Sequence, residues 1–176
     1  MYFSTTPIEG LLLFEPRIFG DERGYFMETY NERTFREAGI TNTFVQDNQA
    51  ASSRGVLRGL HLQRGDDAQA KLVRVISGEV YDVAVDLRLD SPTRYQWYGV
   101  YLNGENQRQL FVPRGFAHGY LVTSEHAVFA YKCDNFYAPA AEDGFRYDDP
   151  AFGIEWPAVG QEYTVAARDL SYPWLT

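Results

Sequence analysis

The 176-residue chain has a single cysteine, Cys133, so it can form no intrachain disulfide and nothing points to an oxidising compartment. Lysine is nearly missing: of 16 Lys and Arg residues only Lys71 and Lys132 are lysines, and histidine is confined to His61, His118 and His126. Acidic residues outnumber basic ones 24 to 16, for a net charge of -8. That balance argues against a nucleic-acid or anionic-membrane binder, which needs a cationic face. No run approaches the roughly 18 apolar residues of a spanning helix. The N-terminus MYFSTTPIEG also lacks the basic-then-apolar pattern of a secretory signal. No repeat, low-complexity block or linker interrupts the sequence. At roughly 150 residues per domain, a soluble cytoplasmic protein of one domain, residues 1–176, is expected.

Aromatic residues are plentiful, with 13 Tyr and 12 Phe, more than a disordered chain leaves in water. One helix is predicted after Asn31, which can cap it, with Glu32 in the first turn, an apolar edge at Phe35 and Ala38, and a left-handed stop at Gly39. Elsewhere short strands are punctuated by turns. They are expected at 25–30, 56–63, 71–77, 79–88, 95–102, 108–112, 119–123 and 126–134, with turns at Gly78, Ser91-Pro92, Asn103-Gly104 and Pro113 to Gly115. Many short strands without interleaved helices predict an all-β antiparallel sandwich or barrel of jelly-roll size, with one or two short helices.

Alternation assigns faces. Along 79–88, Tyr81, Val83, Val85 and Leu87 share one face, and Asp82, Asp86 and Arg88 the other, so the charges are expected to point outward. Along 71–77, Lys71 has the parity of Val73 and Val75, which aims a lysine toward the core, although at the first position of a strand such a stem more often snorkels to water. Tyr131 shares parity with Phe129 and Cys133, while Lys132 faces away. The aromatic run Tyr95, Trp97, Tyr98 and Tyr101 suits either core or a dimer face.

Two segments concentrate chemistry: Gly55 to Gln63 (GVLRGLHLQ) and Pro113 to Gly119 (PRGFAHG). Their spacing resembles the two cupin motifs, G-x5-H-x-H and P-x-G-x2-H. Gln63 stands where the second histidine belongs, and only Asp66 or Asp67 loosely meets the acidic position. Two histidines fall short of the usual three protein ligands of a catalytic metal, so a cavity without metal is expected. Seven segments in order then make the match specific: FEPRIFGDERGYFMETY (14–30), FVQDN (44–48), VLRGLHLQ (56–63), KLVRVISGEVYDVAVDLR (71–88), PRGFAHGY (113–120), YKCDNFYAP (131–139) and ARDLSYP (167–173). Over nearly its whole length the chain resembles the dTDP-4-dehydrorhamnose 3,5-epimerases, a metal-free branch of the cupins.

The resemblance implies a homodimeric jelly roll that acts, without a cofactor, on a dTDP-4-keto-6-deoxy sugar. Inverting a carbon beside a ketone requires a base, an acid on the opposite face and a cation or donor for the enolate oxygen. By the match His61 is the base, Asp169 its orienting carboxylate, Tyr131 the acid, and Lys71 the cation near the C4 oxygen. Arg23, Glu28, Gln46, Asp47, Asn48, Arg58, His118, Glu142 and Arg168 are implied substrate contacts, with arginine suited to a diphosphate by its planar fork. Tyr137 is implied to stack on thymine. Arg168 departs from the lysine usual in the family, keeping the charge but not the geometry. The competing readings are a single-position epimerase, a metal-dependent cupin oxygenase using His61 and His118, and a non-catalytic sugar-binding module.

Overall fold

The computed structural model describes residues 2–175. In chain order the strands are β1 (Tyr2–Thr5), β2 (Leu12–Glu15), β3 (Ile18–Asp21), β4 (Gly24–Met27), β5 (Gln46–Ser53), β6 (Val56–Gln63) and β7 (Lys71–Ser77). They continue as β8 (Glu79–Asp86), β9 (Trp97–Asn103), β10 (Gln109–Val112), β11 (Phe116–Val122), β12 (His126–Cys133), β13 (Glu142–Gly144) and β14 (Thr164–Val165). Two short helices, α1 (Glu32–Glu37) and α2 (Ala167–Leu170), accompany them. None of the described helices is long and apolar enough to cross a membrane.

The first sheet runs β1-β2-β10-β7-β12-β5 and the second β13-β6-β11-β8-β9, with β14 added in parallel to β6 and β3–β4 forming a separate hairpin. Their facing sides share one core, to which the first sheet contributes Leu13, Val73, Val75, Leu110 and Phe129, and the second Val80, Ala84, Leu102, Tyr120 and Val122. This is the expected jelly-roll sandwich. The aromatic excess is divided among layers: Tyr98 packs on the inner core, Tyr95 and Trp97 pack beneath the second sheet, and Tyr101 is exposed.

Asn31 caps α1 as expected, its Oδ1 accepting from the backbone N–H of Arg33 and Thr34. Gly39, at φ +89°, ends the helix, and Phe35 is buried against Phe14 and Phe3. Strands β1, β2, β3, β5, β13 and β14 escape the periodicity because they are short or, like QDNQAASS in β5, almost free of apolar residues.

On β8 the expected sides are reversed. Asp82 and Asp86 are completely buried, while Val83 and Val85 pack on the other face under Phe145 and Phe152. Parity was right, but the charged face looks inward because a distant C-terminal segment covers the apolar one. Asp86 is held by Arg88, Ser91 and Thr93. Burial alone raises its carboxyl, yet these donors pull it down to about 2.

Between β6 and β11 the backbones come unusually close. A Cβ at Gly59 would stand 2.6 Å from Gly119 Cα, and one at Gly119 would stand 2.7 Å from Arg58 O. Only glycine fits on both sides. The register shifts at this point, and His118 becomes the cross-strand partner of His61.

Candidate active site

His61 projects from β6 into the sandwich, since its neighbours Leu60 and Leu62 pack on the outer face of the sheet. Asp169, on α2, reaches it from 108 positions along the chain: His61 Nε2 lies 2.9 Å from Asp169 Oδ1, and the Gly59 N–H donates to Oδ2 at 3.1 Å. Burial alone would raise the Asp169 carboxyl. The hydrogen bond and charge of His61, the Gly59 N–H and Arg168 outweigh it and hold the group below its ordinary value. The carboxylate is therefore ionised and suited to accept an Nε2–H, the tautomer that would leave the lone pair on Nδ1.

On the opposing sheet, β7 and β12 place Lys71 and Cys133 as cross-strand partners, with Tyr131 opposite Val73. Lys71 Nζ stands 5.9 Å from the centre of the Tyr131 ring. Burial pushes the Lys71 amine below the usual lysine range, while Cys133, Asp82 and Glu142 pull it back up. Burial, reinforced by Cys133 and Tyr120, pushes the Tyr131 hydroxyl up to about 12, so it keeps its proton at neutral pH. The sandwich thus sets a carboxylate-paired imidazole on one sheet against a protonated phenol beside an amine on the other.

The remaining expected residues divide into three groups. Around the mouth, Arg168 pairs with Glu142 at 2.9 Å, and Glu142 accepts from Tyr137 OH at 2.8 Å. The Tyr137 N–H donates to Gln46 Oε1 at 2.9 Å, and Gln46 donates to Asn48 Oδ1 at 3.1 Å. Tyr137 is half-exposed, with its ring free to take a flat partner. Deeper in, His118 Nε2 lies 3.0 and 2.9 Å from the two oxygens of buried Asp82, whereas Arg58 is exposed and donates to Ser52 Oγ.

Three residues stand apart. Asp47 has the opposite parity on β5 from Gln46 and Asn48, so it sits on the outer face of the sheet, paired with Lys132 at 2.9 Å. That alternation turns its side chain away from the interior of its own chain. Arg23 lies on the β3–β4 hairpin, is 84% exposed at its side chain and pairs with Asp21. Glu28, just past the hairpin, accepts from Asn31. Neither is tied to the interior of its own chain.

Other contributors lie inside the matched segments but were assigned no role. Asp82 orients His118, and Tyr120 places the one buried hydroxyl without a partner among the described residues beside that cluster. Asp82 could have been found from the parity of β8 had its inner face been known. Gln63 is buried and spends its amide on Asp67 O, Phe136 O and the Ala138 N–H. Where cupins carry a ligand, this chain has a staple for the loop that bears Tyr137. Among the described residues no group of three or more His, Cys, Asp and Glu is arranged to hold a metal.

A jelly-roll sandwich that sets a carboxylate-paired imidazole on one inner face against a protonated phenol and an amine on the other is the arrangement of an isomerase of the cupin class. The family model for dTDP-4-dehydrorhamnose 3,5-epimerase matches residues 5–176, and the chain belongs to that family. It is 53% identical over 171 residues to the dTDP-4-dehydrorhamnose 3,5-epimerase of Salmonella typhimurium, covering 97% of this chain and 93% of the relative. A crystal structure of that enzyme from Elizabethkingia anophelis superposes with a TM-score of 0.95 at 49% identity, covering 99% of this chain and 96% of the other. The Legionella pneumophila dTDP-6-deoxy-D-glucose-3,5-epimerase, solved in complex with dTDP-4-keto-L-rhamnose, matches with a TM-score of 0.95 at 48% identity, covering 98% and 92%.

Proposed function

We propose that the chain converts dTDP-4-dehydro-6-deoxy-D-glucose to dTDP-4-dehydro-L-rhamnose in the cytoplasm, inverting C3 and C5 without a cofactor. The observation that carries this reading is the opposition of the His61–Asp169 dyad on one sheet to Tyr131 and Lys71 on the other. The substrate's own ketone acidifies the neighbouring C–H bonds, so the protein need only move protons and hold the enolate. His61 Nδ1 takes the proton, and Asp169 balances the resulting imidazolium. Lys71 faces the oxygen on which charge develops, in a site largely shielded from water. Tyr131 returns a proton from the opposite face of the ring, and the sequence repeats at the second carbon. Arg58 and Arg168 take the diphosphate and Tyr137 the base.

In heavy water the product is expected to carry deuterium at both C3 and C5, read by proton NMR. Failure of either position to exchange during turnover would overturn the double inversion. Deuterium at one carbon alone would establish the single-position alternative. Activity lost to a chelator and restored by a divalent metal would instead support the oxygenase-type cupin.

The pH profile follows from the two perturbed groups. Tyr131 holds its proton up to about 12, whereas the Lys71 amine loses its proton below the ordinary lysine value. The rate is therefore expected to fall as pH rises through the lowered Lys71 value. Lys71→Arg, which stays charged, should remove that limb, and Tyr131→Phe should leave it in place. Steady-state rates over roughly pH 7 to 10 check this.

We propose further that two chains pair. Strand β5 is an open edge of the first sheet, and the hairpin exposes Ile18, Phe19, Tyr25 and Phe26. Open edges and contiguous exposed aromatics favour association. Pairing would also give Arg23 and Glu28 a route to the mouth of the partner's cavity. Sedimentation is expected to report a dimer, and Phe26→Asp should yield monomers with weakened substrate binding. A monomeric wild-type protein with full activity would refute the pairing.

A further inference from the structure

The base depends on a carboxylate carried by a helix too short to hold itself. Helix α2 spans four residues, and its backbone bonds number only a few, such as Leu170 N–H to Ala166 O and Ser171 N–H to Ala167 O. An isolated turn of this length has no stability of its own. Before it, β14 fastens the chain to β6. After it, two ties come from one turn, residues 146–149.

Arg146 Nη1 donates to Leu170 O at 2.6 Å, directly at the helix end. Its guanidinium is fixed by two hydrogen bonds to Asp148, at 2.9 and 2.8 Å, and lies 4.5 Å over the Trp174 ring. Asp149 is 2% exposed, and its two oxygens accept backbone N–H groups from Ala151 at 2.9 Å and Leu175 at 2.6 Å. A carboxylate this buried is well satisfied by two charge-assisted bonds, and removing it leaves backbone donors unpaired.

Between the two ties lies Tyr172, its ring edge-on to His61 at 5.9 Å. It packs on Gly144, the cross-strand partner of His61, where an added Cβ would meet the Tyr172 ring at 2.5 Å. The strap therefore delivers two groups to one imidazole: Asp169 to its Nε2 and Tyr172 to its flank.

We infer that Arg146 and Asp149 are positioning residues for the base, clamping the C-terminal strap so that Asp169 and Tyr172 hold the His61 ring in register. Neither bonds to His61 itself. The inference rests on the proposed role of His61, and it is tested with and without turnover.

Asp149→Asn places an amide N–H against one of the two backbone donors and is expected to lower turnover about 10- to 100-fold, the scale of a small misplacement. In an Asp169→Asn background the same change is expected to cost less than about 3-fold, because the geometry it protects is already lost. Equal losses in both backgrounds, or no loss in either, would overturn the clamp. Arg146→Met, at the opposite end of the strap, should show the same non-additivity and serves if Asp149→Asn fails to fold.

A second readout needs no substrate. In protein labelled with 15N-histidine, the His61 Nε2–H resonance, assigned by its loss in Asp169→Asn, is expected to broaden or vanish in Asp149→Asn while the amide spectrum stays dispersed. A sharp, unshifted resonance would refute the clamp whatever the activity. A wild-type protein that shows the resonance yet exchanges no substrate deuterium would count against the reaction instead.

Discussion

Replacing His61 by asparagine is expected to lower turnover by at least about 10²-fold, the scale of losing a general base, while dTDP binding persists. Asparagine is smaller than histidine, and its amide superposes on the Nδ1 edge of the ring, short of the Nε2 that lies 2.9 Å from Asp169. It offers no lone pair basic enough to take a carbon-bound proton. The contacts proposed for the nucleotide, Arg58, Arg168 and Tyr137, lie on other side chains and stay in place. Initial rates with the 4-keto sugar nucleotide and calorimetric titration with dTDP separate the two effects. A variant with near-normal turnover would displace His61 as the base, and one that also lost dTDP would make it a binding residue.

Tyr131→Phe is expected to separate exchange from inversion. Phenylalanine keeps the ring that packs on Phe129 and faces Lys71, and removes only the proton donor. The base can still take a proton and return deuterium from the face on which it stands. Inversion should therefore fall by about 10² to 10⁴-fold, while recovered substrate gains deuterium without a change of configuration. NMR of the recovered sugar nucleotide reads both quantities in one sample. Inversion at the normal rate would remove Tyr131 from the acid role. A wild-type rate of neither exchange nor inversion would mean that the hydroxyl also supports the base or the enolate.

Much of this site was readable before any fold was known. The parity of Lys71 with Val73 and Val75, and of Tyr131 with Phe129 and Cys133, already aimed a lysine and a tyrosine inward, and both strands obey it. Alternation is a local property of the extended backbone, so it survives whatever the strand packs against. Asp47 shows what happens when that signal is absent. Strand β5 has little apolar periodicity, so Gln46, Asp47 and Asn48 were implied as contacts by the resemblance alone, and only the ladder with β12 showed that the middle one faces away from the interior.

Asp82 marks a different gap. Its parity was legible, but which face of β8 lies inside depends on Phe145 and Phe152, far along the chain, and on the opposing sheet. No local pattern encodes that. Arg23 and Glu28 have a similar standing: the segment FEPRIFGDERGYFMETY named both residues, yet only the β3–β4 hairpin, paired apart from the two main sheets, raises the matter of whose cavity they serve.

The sequence by itself determined the strands with strong alternation, the capped helix, the reaction class implied by the motifs, and the histidine, lysine and tyrosine that would carry it. Each of these depends on residues a few positions apart. Tertiary structure decided which sheet face is interior, that Asp169 reaches His61 across 108 positions, that Asp47 faces away from the interior, and that the Arg146–Asp149 turn ties the strap. Those facts rest on contacts between distant segments, whose geometry is set by how two sheets and their covering loops pack rather than by any spacing along the chain.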